Sequence, residues 1–354
     1  MSISRRKFAQ LLGAGAAVAV TRPALSFAKA TVPAPAKAAG ATVTRLSSNE
    51  NPFGPSPGAL QAMRDAFGLA CRYPDEYGDA AVTSIANLNG VSREQILLGD
   101  GSGELLKLCA DAFTGPLTNN KNAAGGTLVV ADPTFEAILY HAKANGAEIL
   151  KIPLNASFAH DLPKMRAAAK KGLVYICNPN NPTASISPKS AVRQFIETAP
   201  NDTMILVDEA YYHYADSPDY ESMIPLVKDH PNLIVARTFS KIYGMAGLRC
   251  GYCVAQSLTI ERLRERQAWD SINIMALAAA TASLDEPDQV TQGRALNAET
   301  RAFTIAELEK LGYETIPSQA NFIMFDAKRP VVPLIQSLKA RGVLVGRLFP
   351  AMPS

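Results

Sequence analysis

The sequence predicts an α/β fold, in which a sheet is covered by helices on both faces, together with a smaller α+β domain. Between about residues 80 and 280, helical stretches alternate with short apolar runs, which is the pattern of a layered α/β domain. Most of these runs are solidly apolar rather than alternating, as in strands that are buried on both faces. The predicted strands are Gln95–Leu98, Thr127–Val130, Glu148–Ile152, Gly172–Ile176, Met204–Val207, Leu233–Ala236 and Gly251–Val254.

Helices are predicted between the strands and in the C-terminal part of the chain. A long amphipathic stretch after Pro287 leads into two apolar segments, Tyr313–Ile316 and Ala320–Phe325, then a helix and a strand at Val343–Val345. We therefore predict a large domain over residues 71–285 and a small domain over 286–354, with residues 42–70 joining the small one. Because a small domain that ends on an unpaired edge strand is incomplete, we expect further sequence after residue 354. The predicted helices are Gly103–Phe113, Thr134–Ala144, Pro188–Thr198, Ile260–Trp269, Val290–Leu311 and Val332–Arg341.

Length and charge limit the possible functions. The 354 residues, 47% of them hydrophobic, are enough for a large core and two domains. The net charge of +3 is spread along the chain without a dense basic tract, so we predict no nucleic-acid partner.

The first 30 residues read as an export signal. Ser4-Arg5-Arg6-Lys7-Phe8 is followed by the apolar run Leu11–Val20 and by Ala28-Lys29-Ala30, a small-x-small cleavage site. This order predicts a twin-arginine signal peptide over residues 1–30, a linker over 31–41 and a periplasmic protein. The apolar run is well short of the ~20 residues that a membrane span requires, so we predict no stable membrane anchor. This signal resembles those of proteins that are exported already folded, often with a cofactor installed in the cytoplasm.

The five cysteines do not predict a metal or redox site. The one close pair, Cys250 and Cys253, falls in a predicted buried strand, and no second pair or nearby histidine completes a zinc set. We therefore expect no metal and no disulfide.

Polar motifs follow four of the predicted strands. Gly101-Ser102-Gly103 follows the first strand, Asn178–Thr183 the fourth, Asp208 the fifth and Ser240-Lys241 the sixth. Because open α/β sheets bind ligands at the carboxyl ends of their strands, the sequence predicts that these motifs form one site.

The residues around Lys241 indicate the ligand. A buried lysine can form a Schiff base with an aldehyde, and the hydroxyls of Thr238 and Ser240 with the guanidinium of Arg249 suit a phosphate. Ser102 and Gly103 lie at a glycine turn that opens a helix, whose free N–H groups attract anions. A lysine beside a phosphate clamp is what pyridoxal phosphate requires.

Four further residues suit the ring of that cofactor. A carboxylate keeps the ring nitrogen protonated, and Asp208, at the end of an apolar strand, is the candidate. Asn181 and Tyr211 supply hydrogen-bond donors for the phenolate oxygen, and Phe135 supplies a stacking surface. Each signal has an ordinary alternative, because Asn/Pro runs form plain turns and Phe135 also suits core packing.

With these motifs, the chain from about residue 42 onward resembles the fold-type I, class I/II pyridoxal phosphate-dependent aminotransferases, and within them the histidinol-phosphate aminotransferase group. The matched stretches are Ser48-Asn49-Glu50-Asn51-Pro52, Arg72-Tyr73-Pro74-Asp75, Gly101-Ser102-Gly103-Glu104, Asn180-Asn181-Pro182-Thr183, Asp208-Glu209-Ala210-Tyr211, Thr238-Phe239-Ser240-Lys241, Gly247-Leu248-Arg249-Cys250-Gly251-Tyr252 and Ala320-Asn321-Phe322.

The resemblance implies a mainly parallel seven-stranded sheet, a small domain built from both chain ends, and a homodimer in which Tyr73 reaches the phosphate of the partner's cofactor. It also implies that Asn51 and Arg347 face the substrate. Two departures stand out. Ala184 replaces the glycine of the usual Asn-Asn-Pro-Thr-Gly, and the family's closing strand, which carries an arginine for the substrate carboxylate, has no counterpart in this sequence.

The predicted activity is transfer of an amino group between an amino acid and a 2-oxo acid, with Lys241, Asp208 and Tyr211 as catalytic residues. The donor is predicted to be histidinol phosphate-like or aromatic. A decarboxylase or carbon–sulfur lyase on the same fold is the nearest alternative. An exported solute-binding protein is a further alternative, and it leaves the pairing of Asp208 with Lys241 unexplained.

Overall fold

The computed structural model describes residues 43–116, 125–200 and 202–352. The predicted signal peptide and linker lie outside the described residues. The strands are β1 Thr44–Arg45, β2 Ile96–Gly99, β3 Thr127–Asp132, β4 Ile149–Pro153, β5 Gly172–Cys177, β6 Thr203–Asp208, β7 Leu233–Thr238, β8 Gly251–Val254 and β9 Val343–Leu344. The helices are α1 Pro57–Ala66, α2 Asp75–Asn89, α3 Gly101–Phe113, α4 Ala137–Ala144, α5 Leu162–Ala168, α6 Lys189–Thr198, α7 Ser257–Arg264, α8 Ile274–Leu284, α9 Pro287–Lys310 and α10 Val331–Ala340.

Seven of the strands form one sheet in the order β2-β8-β7-β6-β5-β3-β4. All neighbours are parallel except β8, which is antiparallel to both β2 and β7. The register pairs Cys177 with Asp208 and Asp208 with Ala236, so β5, β6 and β7 end at the same edge. The predicted sheet is confirmed, and this alignment of strand ends brings the polar motifs together.

Both faces of the sheet are covered, as the solidly apolar strands predict. Successive side chains of a strand point to opposite faces, and in β5 Val174 belongs to one core cluster while Leu173 belongs to the other. Burying each such side chain stabilises the fold by roughly 1.5–3 kcal/mol. The sheet is therefore a rigid base for the loops at its edge.

Several helices differ from the predictions. α1, α2, α5 and α8 are additional, and α8 is apolar nearly all round, so its sequence has no amphipathic period that would reveal it. Its start is marked by Asn273, whose side chain accepts a hydrogen bond from the Ala276 N–H at 2.8 Å. α7 ends at Arg264, earlier than predicted, and α4 begins only at Ala137.

The two ends of the described chain meet. β1 pairs in parallel with β9, with Thr44 opposite Val343. The apolar segments Tyr313–Ile316 and Ala320–Phe325 touch through a bridge between Thr315 and Phe325 rather than as full strands. The domain boundaries stay a prediction. Within the described ranges, no helix combines the length and apolar character needed to cross a bilayer.

Candidate active site

A cavity of about 810 Å³ lies at the carboxyl edge of the sheet. The residues predicted from four separate loops meet there, so the structure confirms that they form one cluster. The predicted cofactor and substrate residues that line the cavity are Ser102, Gly103, Phe135, Asn181, Asp208, Tyr211, Thr238, Ser240, Lys241, Arg249 and Arg347.

Lys241 lies on the loop after β7. Its Nζ donates a hydrogen bond to the carbonyl oxygen of Asn49 at 3.2 Å and lies 5.4 Å from the ring centroid of Tyr211. Burial lowers the pKa of the amine from 10.5 to about 8, although the charges of Asp208 and Glu50 act in the opposite direction. About one molecule in ten is then neutral at pH 7, against roughly one in three thousand for an ordinary lysine. The site therefore favours a reactive amine.

Asp208 ends β6 and is 2% exposed. Its carboxylate accepts the hydroxyl hydrogen of Tyr175 at 2.8 Å and the N–H of Ala210 at 3.0 Å. Burial raises its pKa, and these two hydrogen bonds oppose the rise. A cation at this position, such as a protonated ring nitrogen, stabilises the ionised form. The sequence analysis did not identify Tyr175. The one feature that could have indicated its role is the presence of a phenol in a mostly aliphatic strand.

The phenol of Tyr211 accepts two hydrogen bonds. Nδ2 of Asn49 and Nδ2 of Asn181 each lie 3.2 Å from its oxygen, and Phe322 packs edge-on against the ring with centroids 5.1 Å apart. Because both lone pairs of the oxygen are occupied, its own hydrogen remains available for an acceptor in the cavity. Asn49, which sequence reasoning did not single out for this role, therefore contacts both Lys241 and Tyr211.

The other end of the cavity suits an anion. Nη1 of Arg249 lies 3.4 Å from Oγ of Ser240, which in turn lies 2.9 Å from Oγ1 of Thr238. The start of α3 adds N–H groups that have no partner inside the helix. Gly101 has a φ of +69°, and a Cβ there would collide with the guanidinium of Arg249. A phosphate can therefore approach donors from three segments.

These features fit pyridoxal phosphate. Arg249, Ser102, Thr238 and Ser240 would hold its phosphate, Asp208 its ring nitrogen, Asn181 and Tyr211 its phenolate oxygen, and Lys241 its aldehyde. Phe135, 38% exposed, lines the same cavity and offers a ring face for stacking.

Two predicted residues lie elsewhere. Tyr73 is 79% exposed and does not line the cavity of its own chain. Asn51 also lies outside the cavity lining, because its amide donates to the carbonyl of Ile242 at 2.8 Å and accepts from the N–H of Phe53 at 3.1 Å. Asn51 thus braces the loop that carries Lys241, and its predicted contact with the substrate stays a prediction.

Ala184, which stands where the resembling family has glycine, is buried with a φ of 58°. This left-handed conformation costs an L-residue roughly 1–2 kcal/mol. The turn is kept, since the N–H of Ala184 donates to the carbonyl of Asn180 at 2.8 Å.

Comparison with known proteins places this geometry in a family. Residues 41–351 match the family described as aminotransferase class I and II. The chain belongs to the class I and II aminotransferases. It is a pyridoxal phosphate-dependent aminotransferase, and enzymes of this family use amino acids and 2-oxo acids as substrates and are typically dimeric. The solute-binding alternative is therefore wrong.

Individual relatives agree with this assignment. The histidinol-phosphate aminotransferase of Symbiobacterium thermophilum is 38% identical over 305 residues, which cover 86% of this chain and 81% of that protein. The aminotransferase also resembles a protein of known structure from Erwinia carotovora atroseptica, with 32% identity, a TM-score of 0.83 and coverage of 88% and 89% of the two chains. The histidinol-phosphate aminotransferase of Sinorhizobium meliloti, solved with pyridoxal-5'-phosphate, is 28% identical with a TM-score of 0.79, covering 86% of this chain and 82% of that one.

Proposed function

We propose that the enzyme transfers the amino group of a histidinol phosphate-like or aromatic donor to a 2-oxo acid. The observation that carries this proposal is the composition of the cavity lining. Besides the cofactor residues, the lining contains an apolar set from the C-terminal segment, which includes Met324, Ile335, Leu338 and Phe349, together with Arg347. An apolar lining suits an imidazole or aromatic ring, and an arginine suits a phosphate or carboxylate. The names of the relatives support the same donor class.

Bound pyridoxal phosphate supplies an aldehyde that takes up the amino group and a ring that accepts the electron pair of the substrate α-carbon. The neutral Nζ of Lys241 removes the α-proton, and its lowered pKa makes that form accessible near pH 7. Asp208 would keep the ring nitrogen protonated, and the hydroxyl of Tyr211 would donate toward the phenolate oxygen.

The experiment is a single-turnover assay without an acceptor. The cofactor-loaded enzyme is mixed with histidinol phosphate, an aromatic amino acid or a small aliphatic amino acid, and the keto product and cofactor absorbance are measured. We expect one product per site with the first two donors, and further turnover only after a 2-oxo acid is added. Lys241→Ala is the control that forms no product. Repeated turnover without an acceptor would instead indicate a decarboxylase or carbon–sulfur lyase.

We also propose a homodimer with shared active sites. The exposure of Tyr73 outside the cavity of its own chain supports this proposal. Lys241→Ala and Tyr73→Ala chains, each nearly inactive alone, are mixed, dissociated and reassembled. Half of the dimers are then mixed, and each has one site with both residues intact, so about a quarter of the wild-type activity should return. No recovery, despite dimers in the mixture, would contradict shared sites.

We further propose that the enzyme is exported to the periplasm by the twin-arginine route. Arg5 and Arg6 before the apolar run and the small-x-small site at Ala28-Lys29-Ala30 support this proposal. The double change of Arg5 and Arg6 to lysine should retain the precursor in the cytoplasm, as cell fractionation would detect. The same distribution for both proteins would reject the route.

A further inference from the structure

We propose that Glu136 is a specificity-determining residue that pairs with Arg347 and so weakens the attraction of this arginine for an anionic group of the substrate. The inference rests on the proposed function, because it concerns which donors the same site accepts. It assigns Glu136, a residue with no role in holding the cofactor, to the selection of the substrate.

Glu136 and Arg347 are far apart in sequence but form an ion pair beside the cavity. Nη2 of Arg347 lies 2.5 Å from Oε2 of Glu136. Glu136 directly follows Phe135, a cavity residue on the sheet side, whereas Arg347 lines the cavity from the C-terminal segment. The pair therefore lies next to the cavity, and Arg347 is the member that lines it.

The guanidinium of Arg347 is held in position, but not all of its N–H donors have a partner among the described residues. Its guanidinium carbon lies 4.4 Å from the ring centroid of Phe349, and the carboxylate of Glu136 is its ion-pair partner among the described residues. A guanidinium has five N–H donors in a planar fork, and Glu136 occupies one of its terminal nitrogens. An anionic substrate group competes with Glu136 for the remaining edge and meets the repulsion of that carboxylate.

Among the described residues, Glu136 forms no ion pair other than the one with Arg347. A comparable pair on the same segment joins Lys151 to Asp132 at 3.4 Å. The side chains of Arg347 and Glu136 are 57% and 30% exposed, so the pair is partly screened by water. For such pairs we expect Glu136 to lower the affinity for anionic groups by about two- to five-fold, which corresponds to about 0.4–1 kcal/mol at 1.4 kcal/mol per tenfold.

The test compares Glu136→Gln with the wild-type enzyme. The amide keeps the size of the side chain but removes its charge, so kcat/KM for an anionic donor, such as histidinol phosphate, should rise about two- to five-fold through KM. The value for histidinol, which has the same imidazole and amino groups but no phosphate, should stay unchanged. Asp132→Asn, which removes a carboxylate of the same segment that pairs with Lys151 rather than with Arg347, is the matched control and should change neither value.

A double-mutant cycle and a binding assay complete the test. In the Arg347→Gln background, Glu136→Gln should have no effect, because the paired guanidinium is gone. Equal changes for anionic and neutral donors, or an effect that persists without Arg347, would overturn the proposal. Dissociation constants of succinate and butyrate, measured by calorimetry on the cofactor-loaded protein, do not require turnover. If Glu136→Gln fails to tighten succinate relative to butyrate, the proposal is wrong even where the proposed donor class holds. If no donor reacts but succinate binding tightens, the donor class fails and the effect of Glu136 on Arg347 stands.

Discussion

Replacing Lys241 by methionine should stabilise the cofactor-free protein while abolishing its activity. The amine is buried with a pKa of about 8 instead of 10.5. At 1.36 kcal/mol per pH unit, this difference corresponds to roughly 3 kcal/mol of folding free energy that is lost because a charged lysine is held in a buried site. Methionine has a similar length and no charge, so it removes this cost.

The net gain is smaller than this figure, because the amine also makes a favourable contact. Its hydrogen bond to the carbonyl of Asn49 contributes about 1 kcal/mol. That carbonyl keeps a second donor, Nδ2 of Asn321 at 3.1 Å, so it is not left unsatisfied. We expect a net stabilisation of about 2 kcal/mol near neutral pH.

The pH dependence identifies the cause. Below a pH of about 8 the lysine is protonated in both the folded and the unfolded states, so the full cost is present. Between about 8 and 10.5 the unfolded state binds more protons, and wild-type stability therefore rises with pH until the cost is lost. The advantage of Lys241→Met should shrink over this window and end slightly below zero.

Urea unfolding of the cofactor-free proteins at several pH values measures these differences. The control is Lys339→Met, because Lys339 is an exposed helix residue and its change should have little effect at any pH. A constant difference between Lys241→Met and wild type from neutral to alkaline pH, or a destabilised variant near pH 7, would refute the reasoning.

Three further predictions address the phosphate end, the buried ion pair and the phenol. Gly101→Ala should weaken cofactor binding about tenfold or more, because the new Cβ collides with the guanidinium of Arg249 and Gly101 has a φ of +69°. Gly247→Ala, in open space, should bind the cofactor normally in the same spectroscopic titration. Arg237→Met should lower the free energy of unfolding in urea by about 3–5 kcal/mol, because it leaves the buried carboxylate of Glu209, 2.9 Å from the guanidinium, without its cation. Adding Glu209→Leu to this variant should recover part of the lost free energy. If the effects of the two substitutions simply add, the ion pair is not the cause of the loss. Asn49→Gly keeps the left-handed backbone, with a φ of 52°, and the carbonyl that contacts the lysine, but removes one donor to the phenol. We expect cofactor affinity to fall about two- to tenfold, and unchanged affinity would show that this donor is dispensable.

The sequence was enough to predict most of the sheet. The strands are solidly apolar and bounded by turn residues, so their positions followed from composition and length alone. Helices such as α8 were harder to predict, because an apolar helix that is buried on all sides has no hydrophobic periodicity that distinguishes it from a strand or a loop. The segments Tyr313–Ile316 and Ala320–Phe325 look like strands by composition, yet the structure gives them a single bridge.

The cofactor residues could be predicted because each lies beside a motif whose chemistry is local. Lys241 with two preceding hydroxyls, and Asp208 at the end of an apolar strand, are such cases. Asn49 and Tyr175 have no comparable local signal. Their importance arises from contacts with Tyr211 and Asp208, and nothing in a single sequence tells which asparagine or tyrosine a distant residue will meet.

The sequence by itself therefore determined the α/β class, which motif follows which strand along the chain, and the chemical groups that suit pyridoxal phosphate. The tertiary structure decided how those groups act. Burial lowers the pKa of Lys241, two amides orient the phenol of Tyr211, and Glu136 meets Arg347 beside the cavity. The physical reason is that type and local spacing are properties of the chain, whereas desolvation and contacts between distant residues exist only after the chain has folded.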